Sequence, residues 1–378
     1  MKKLLIASAV SAAFAAPTVA LAQAARAPTL SQVLDASGIN VSGYFDAAYT
    51  YANRNLEGGV LTDRVFDSQN NSFALHQFGL QVAKQPSRGF GGVVNITAGS
   101  DAQVIHAFPE TTAGAGSMFD ITQAYGQYAA GDLTLMAGKF VTLAGSEVIW
   151  SPSNTNFSRS ILFGAIPFTH TGVRAGYALS NTVTLYGGIN NGWDQLTDAN
   201  KGKTIELGAT IVPSKPLTIN VTGYFGKEAA VAPGTQPAAA QDQRNLLNVV
   251  ATYTINNRMS AGGEVLYVSQ DRAVGGSAKY NGLAGYFTYN LNREWRVAAR
   301  AEMFDDKNGF HFAPAAPFAT SDTKYKEVTA TLAYLPNSSV ELRGEIRGDQ
   351  ANNAVFRNSD GTTAKSLLTL AFQGIYKF

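Results

Sequence analysis

The sequence predicts an all-β protein: a transmembrane, antiparallel up-and-down β-barrel of about 16 strands, with short periplasmic turns and long extracellular loops. Three observations carry this expectation. Segments of 10 to 13 residues alternate apolar and polar side chains. The gaps between them are short and long in turn. The chain opens on what reads as an export signal.

The elements follow in order. Lys2 and Lys3 form a basic start, Leu4 to Ala16 an apolar stretch too short for a comfortable membrane span, and Ala20-Leu21-Ala22 a small-x-small cleavage pattern. Residues 1–22 are therefore expected to be a signal peptide, cut after Ala22. Residues 23–38 read as a periplasmic N-terminal segment, either packed at the rim or a linker. Within it Thr29 or Ser31 can cap a short helix bearing Leu30, Val33 and Leu34. The barrel is expected over 39–378.

Composition narrows the class. With Lys2 and Lys3 set aside, the remaining 27 basic residues balance 27 acidic ones, and such a neutral chain does not suit nucleic acid. The chain has no cysteine, which fits an exported protein that does not rely on disulfides. No apolar run of 18 or more residues follows the signal, so helical spans are not expected. Charged residues make up 15% of the chain, against roughly 25% in globular domains. A barrel wetted on one face and greased on the other has this composition.

The alternating segments run over 39–52, 72–84, 88–99, 119–130, 132–142, 167–178, 182–192, 202–212, 216–226, 244–255, 258–269, 279–290, 294–306, 324–334, 338–348 and 366–378. In the first, Val41, Phe45, Ala47, Tyr49 and Tyr51 share one face, and Ser42, Asp46 and Thr50 the other. In the thirteenth, Trp295, Val297, Ala299, Ala301 and Met303 alternate with Arg296, Arg300 and Glu302. In the fifteenth, Val340, Leu342 and Ile346 alternate with Glu341, Arg343, Glu345 and Arg347. Four charges on one side of a strand cannot enter an apolar core but suit a water-filled lumen.

The short gaps are Gln85–Ser87, Gly131, Leu179–Asn181, Pro213–Lys215, Asn256–Asn257, Leu291–Arg293 and Pro336–Asn337; the gaps after every odd segment are long. An even strand number leaves both ends of the barrel on the periplasmic side. The last segment carries apolar side chains at every second position back from Phe378, with Tyr376 on the same face. That ending resembles the signature read by the barrel assembly machinery of outer-membrane proteins.

The third long gap, about 143–166, mixes polar and aromatic residues: Glu147, Trp150, Ser151-Pro152-Ser153-Asn154, Asn156, Phe157, Ser158 and Arg159. A loop of this kind folded into a wide barrel would narrow it, with Glu147 and Arg159 facing the lumen; the alternative is an extracellular cap that stays outside the pore. The strand alternation adds Asp46, Lys139, Arg174, Glu206, Glu264, Arg296, Arg300, Glu302, Glu341, Arg343, Glu345 and Arg347 as lumen charges, six of each sign. That balance predicts weak ion preference and a transverse field between opposed patches.

Catalytic signals are weak. His76, His106, His170 and His311 sit in no H-E-x-x-H, and no G-x-S-x-G occurs. Ser160 with His170, and Asp305-Asp306 with His311, are chance-level pairings. Gly114-Ala115-Gly116 lacks a following Lys-Ser/Thr, so no phosphate loop is implied. Asp194, Asp198 and Asn200 could hold a loop calcium, but a solvated loop is the commoner outcome. No enzyme, cofactor or metal is expected.

Several stretches together resemble the Gram-negative family of beta-barrel porin-2 proteins. They are Gly38–Asp46, Gly138–Thr142, Gly145–Ile149, Ser151–Ser160, Pro167–Arg174, Asn190–Asp194, Ala301–Asp306 and Ile375–Phe378. The third gap lacks the acidic Pro-Glu-x-x-Gly motif of the trimeric general porins, so assembly with copies of itself stays open. The resemblance implies a porin-like barrel of the cell outer membrane and names no solute. The export signal and the wet lumen add the expectation of an outer-membrane porin that passes small hydrophilic solutes by diffusion, among outer-membrane lipid and lipopolysaccharide. The alternatives are a channel specific for an anion or organic acid, drawn by Arg174, Arg296, Arg300 and Arg343, and a loop-closed barrel acting as adhesin or structural protein.

Overall fold

The structure is a computed structural model describing residues 29–61, 63–108, 117–228, 242–271, 277–312 and 320–378. The expected signal peptide lies outside the described residues. The chain divides into two units, 1–37 and 38–378. In the first, helix α1 (Leu30–Ser37) begins one residue after Thr29 and closes with the Ser37 hydroxyl donating to Leu34 O at 2.8 Å. Val33 is exposed on it.

The second unit is a closed antiparallel barrel of sixteen strands. The first eight are β1 (Asn40–Ala52), β2 (Ser72–Lys84), β3 (Arg88–Ala98), β4 (Phe119–Ala130), β5 (Leu133–Val141), β6 (Thr169–Ser180), β7 (Val183–Asn190) and β8 (Thr204–Ser214). They are followed by β9 (Leu217–Glu228), β10 (Asp242–Thr254), β11 (Met259–Asp271), β12 (Ser277–Asn290), β13 (Trp295–Asp306), β14 (Thr323–Tyr334) and β15 (Val340–Ala351). The last long loop carries a two-residue ladder, β16 (Phe356–Arg357) with β17 (Thr363–Ala364), before the closing strand β18 (Ser366–Lys377). The alternation does not predict that ladder, because two residues are too few to show a period.

Every expected barrel segment is present, displaced by up to three residues at its ends. The turns explain some shifts. The Asn337 side-chain oxygen accepts from Ser339 N at 2.9 Å and Val340 N at 3.0 Å, holding β15 back to Val340. Asn292 does the same for Glu294 and Trp295 (2.8 Å each), and Asn256 for Arg258 and Met259 at 2.8 and 3.0 Å.

Closure joins β1 to β18, Tyr44 opposite Lys377 and Ala52 opposite Thr369. The last residue completes the seam: Gly43 N donates to Phe378 O and Phe378 N to Gly43 O, both at 2.9 Å. The outer face is apolar, with Phe73, Phe90, Val328 and Phe372 all exposed on it, as a lipid-facing band requires. The inward faces carry the charges, as the alternation predicts, but the space they enclose is packed.

Candidate functional site

Loops fill much of the barrel interior, the first three among them. The described parts of L1 (53–61 and 63–71) and of L2 (99–108 and 117–118, with the short helix α2, Ala102–Ile105) meet L3 (142–168) in an apolar cluster of Phe66, Ile105, Ile149, Phe163 and Phe168. Phe66 lies edge-on to Phe163 at 5.4 Å. Burying such a ring contributes about 1.5–3 kcal/mol, enough to keep a loop inside.

L3 crosses the lumen as a chord. Leu143 N donates to the Tyr224 hydroxyl of β9 (2.9 Å), Gly145 N to Asn248 of β10 (2.9 Å) and Ser146 N to Glu264 of β11 (3.1 Å). Glu147 meets Arg300 of β13 at 2.7 Å. Trp150 packs edge-on to Tyr44 of β1 at 4.5 Å, whose hydroxyl accepts from Ser151 N at 3.3 Å. A turn of 3-10 helix at Ser151–Ser153, with Pro152 inside it, reverses the path. The Asn154 amide locks the reversal, accepting from Val148 N and donating to the Val148 and Trp150 carbonyls, each at 2.9 Å.

The return path is held by the wall charges. Strand register stacks them in layers. Glu302, Glu327 and Asp349 share one row, Arg300 and Arg347 the next, Glu345 the third, Arg296 and Arg343 the fourth. A backbone offers N–H and C=O groups in alternation, and these layers match both. Arg343 donates to Asn154 O (2.7 Å) and Asn156 O (3.1 Å). The Glu345 carboxylate accepts from Phe157 N (2.7 Å) and Ser158 N (2.9 Å). Arg300 donates to Ser158 O (2.7 Å) and Arg347 to Arg159 O (2.6 Å). Glu302 accepts from Ile161 N (2.7 Å) and Leu162 N (3.2 Å), the first turn of α3 (Ile161–Gly164), which Ser160 caps through Phe163 N at 3.0 Å. Charge-assisted bonds of this kind are worth about 1.5–3 kcal/mol each.

The expected site residues thus divide. Glu147, Arg300, Glu302, Arg343, Glu345 and Arg347 come together on L3. Arg296 pairs with Glu341, which also takes Arg343 at 2.7 Å. Arg174 is apart, bidentate on Glu206 at 2.5 and 2.7 Å and 4.1 Å above the Phe140 ring. Lys139 pairs with Asp120 at 3.1 Å.

Two expectations need correction. Arg159 does not face the lumen: it is 2% exposed and staples its own loop, donating to the carbonyls of Val148 (3.1 Å), Phe157 (2.8 Å) and Ile149 (3.2 Å) beside the Phe66 and Phe163 rings. Glu147 also turns onto protein, accepting from Ser160 N at 2.7 Å besides its Arg300 contact. Nor do opposed charge patches face each other across water. Opposite charges sit on adjacent layers of one wall and neutralise locally, because a buried charge needs a partner within bonding distance.

Sequence reasoning missed Glu327 and Asp349, although both follow the same inward alternation in their strands. Glu327 takes Arg300 at 3.0 Å and Asp349 takes Arg347 at 2.8 Å. It also missed L1, whose Arg64 reaches Asp349 at 2.6 Å and pairs with Asp67. No sequence period marks a loop that folds inward, so only the tertiary contacts reveal it.

The residual wall is uncharged. Thr184, Thr210, Asn220, Thr252, Ser260 and Thr288 point inward on the periplasmic halves of β7 to β12 and are half-buried or exposed. The chance-level catalytic pairs are each otherwise engaged. Ser160 caps α3, and His170 lies against Gly192 O (3.2 Å) and the Tyr224 ring. Asp305 holds Lys307 at 3.1 Å and Asp306 accepts from His311 N at 2.8 Å. Asp194 accepts from Phe168 N (2.9 Å) and Thr169 N (2.8 Å), and burial pushes its carboxyl up to about 7. Asp198 caps Asn200 N at 3.0 Å. Among the described residues no group of three or more such side chains is placed to hold a metal.

Comparison with known proteins agrees with this architecture. Residues 38–378 match the family described as "Putative beta-barrel porin-2, OmpL-like". No curated protein matches the chain. Among solved structures, the outer membrane channel DcaP of Acinetobacter baumannii is similar at 15% identity and TM-score 0.61, over 90% of this chain and 97% of that one. OprB of Pseudomonas putida is similar at 12% identity and TM-score 0.63, over 92% and 96%. The trimer form of OmpT from Vibrio cholerae is similar at 12% identity and TM-score 0.61, over 90% and 99%. At such identities the likeness is one of fold.

Proposed function

The chain belongs to the beta-barrel porin-2, OmpL-like family and is an outer-membrane porin, and from that premise we propose that it passes small hydrophilic solutes by diffusion, with L3 as the constriction. The observation that carries this reading is the double clamp on L3, whose N–H groups bond to Glu345, Glu302 and Glu264 and whose carbonyls bond to Arg343, Arg347 and Arg300. A loop so held narrows the aqueous space without closing the hydroxyl- and amide-lined wall of β7 to β12.

Weak ion preference follows. Arg174, Arg296, Arg300 and Arg343, which a dedicated anion channel would use, each hold a carboxylate. Transport then needs no cofactor and no covalent step, and the protein is not an enzyme. In the same reading residues 1–22 are removed on export to a Gram-negative outer membrane, 23–38 stay periplasmic, and the barrel assembly machinery inserts 39–378 among lipopolysaccharide and phospholipid. Assembly with further copies is consistent with the trimer form of the Vibrio cholerae protein.

Planar-bilayer recording tests the proposal. The full chain should give ohmic steps with little ion preference, and deleting Ser151–Arg159 should raise the step size. An unchanged step would remove L3 from the conduction path. Block by one particular anion would favour the specific channel, and no conductance from heat-modifiable, folded protein would favour the closed barrel.

A further inference from the structure

The outside of the barrel carries a feature that conduction does not use. Two depressions, of about 410 and 700 Å³, adjoin at Gly126 on the lipid-facing wall of β2 to β7. Register explains the trough. Gly92, Gly126 and Ala137 follow one another across β3, β4 and β5, and Ala175 faces Gly187 across β6 and β7. Five small outward residues on five neighbouring strands remove the side chains that elsewhere make this wall bulge. The floor spans about 19 Å, four inter-strand steps of about 4.8 Å. Phe90, Tyr128, Leu135, Val173 and Ile189 stand exposed along its edges.

Depth and charge identify the occupant. Gly126 lies four residues from Ala130, the periplasmic end of β4, or about 13 Å of strand. The trough is therefore in the periplasmic half of the apolar band. At its end Lys84 sits opposite Gly92 and lines the smaller depression, and Arg88 opens β3 on the same outward parity beyond Phe90. Both basic side chains flank one periplasmic turn and are exposed; the acid of the adjoining rim, Asp132, lies one hairpin away. Arg174, whose residue also borders the floor, turns inward onto Glu206.

We infer that this trough holds one phospholipid of the periplasmic leaflet, with an acyl chain over Gly126 and Gly187 and its phosphate on Lys84 and Arg88. A narrow concave strip with cations at one end matches a chain with an anionic head. The convex face of a second barrel would span such a strip rather than fill it.

The test fills the trough. A Cβ placed at Gly126 or Gly187 meets nothing within 4 Å, so Gly126→Leu with Gly187→Leu occupies the lipid's space without disturbing the sheet. The full chain, extracted from outer membranes in mild detergent, should carry phospholipid by lipid extraction and native mass spectrometry. The double variant should lose it while keeping heat-modifiable folding. Lys84→Gln, which leaves the floor intact, should abolish preference for phosphatidylglycerol over phosphatidylcholine in mixed micelles. Lipid-free wild-type protein, or equal retention by the filled variant, overturns the inference. So does a change of oligomeric state in the filled variant with no change in lipid, which would make the face a contact between copies.

Discussion

Arg300 and Glu147 meet at 2.7 Å although 153 residues separate them in sequence, and this one contact joins the β13 wall to the loop that crosses the lumen. The same guanidinium also donates to Ser158 O at 2.7 Å and pairs with Glu327 at 3.0 Å. One side chain thus touches both limbs of L3 and a neighbouring strand. Arg300→Ala should leave Glu147 without its cation and Glu327 with only Arg347, 3.8 Å away. Breaking a buried pair from one side costs about 3–5 kcal/mol, so L3 should spend far more time undocked. The expected result is larger, noisier single-channel conductance with the barrel still folded; a wild-type trace would show that L3 is held without Arg300.

Glu345 accepts two adjacent backbone N–H groups and the Thr331 hydroxyl at 2.7 Å. Glu345→Gln keeps the shape but turns an amide NH₂ toward one of those donors. The loss should be about 1.5–3 kcal/mol of L3 docking. Faster protease cleavage within residues 151–159, against an unchanged rate in Val328→Ala on the lipid face, would register it.

Asp63 of L1 gives a pH dependence. Its carboxyl is buried beside Asp349 and Arg347 of β15 and Arg64 of its own loop. Burial first, then repulsion from Asp349, pushes it up to about 7. A carboxyl raised in the docked state stabilises docking while it is protonated. That contribution is complete below about pH 4 and is lost as pH rises through about 7. Amide exchange in residues 63–68 should therefore speed up between pH 5 and 8 beyond its intrinsic rise, and Asp63→Asn should flatten the difference. Slower exchange on raising pH would reverse the assigned sign.

Closure rests on a glycine. A Cβ at Gly43 would lie 2.5 Å from the Phe378 ring, and Phe378 pairs with Gly43 through two backbone bonds. Gly43→Val should therefore displace the terminal aromatic and weaken the β1–β18 seam. Refolding into detergent, read as the heat-modifiable gel shift, should fall in yield, while Gly344→Ala, which meets nothing within 4 Å, should refold normally. Equal yields would place closure elsewhere.

The sixteen barrel strands and their faces were legible because a period of two is written locally: each strand states its own inside and outside, as Val340, Leu342 and Ile346 do against Glu341, Arg343, Glu345 and Arg347. The third loop's importance was legible in its mixed polar and aromatic residues. Its path was not, and neither was the role of Arg159, because a loop has no period to say which side chains turn inward. L1 and L2 gave no signal at all, since Arg64 and Phe66 acquire meaning only against Asp349 and Phe163.

The sequence by itself determined a closed barrel with charge inside and grease outside, since backbone bonds in lipid can be satisfied only by closure and alternation decides which face is wet. Tertiary structure alone decided what the charges do. Register set Arg300 between Glu147 and Glu327 and turned a presumed field across water into a clamp on a loop, because the energy of a buried charge depends on the partner within a few ångströms and not on its neighbours in the chain.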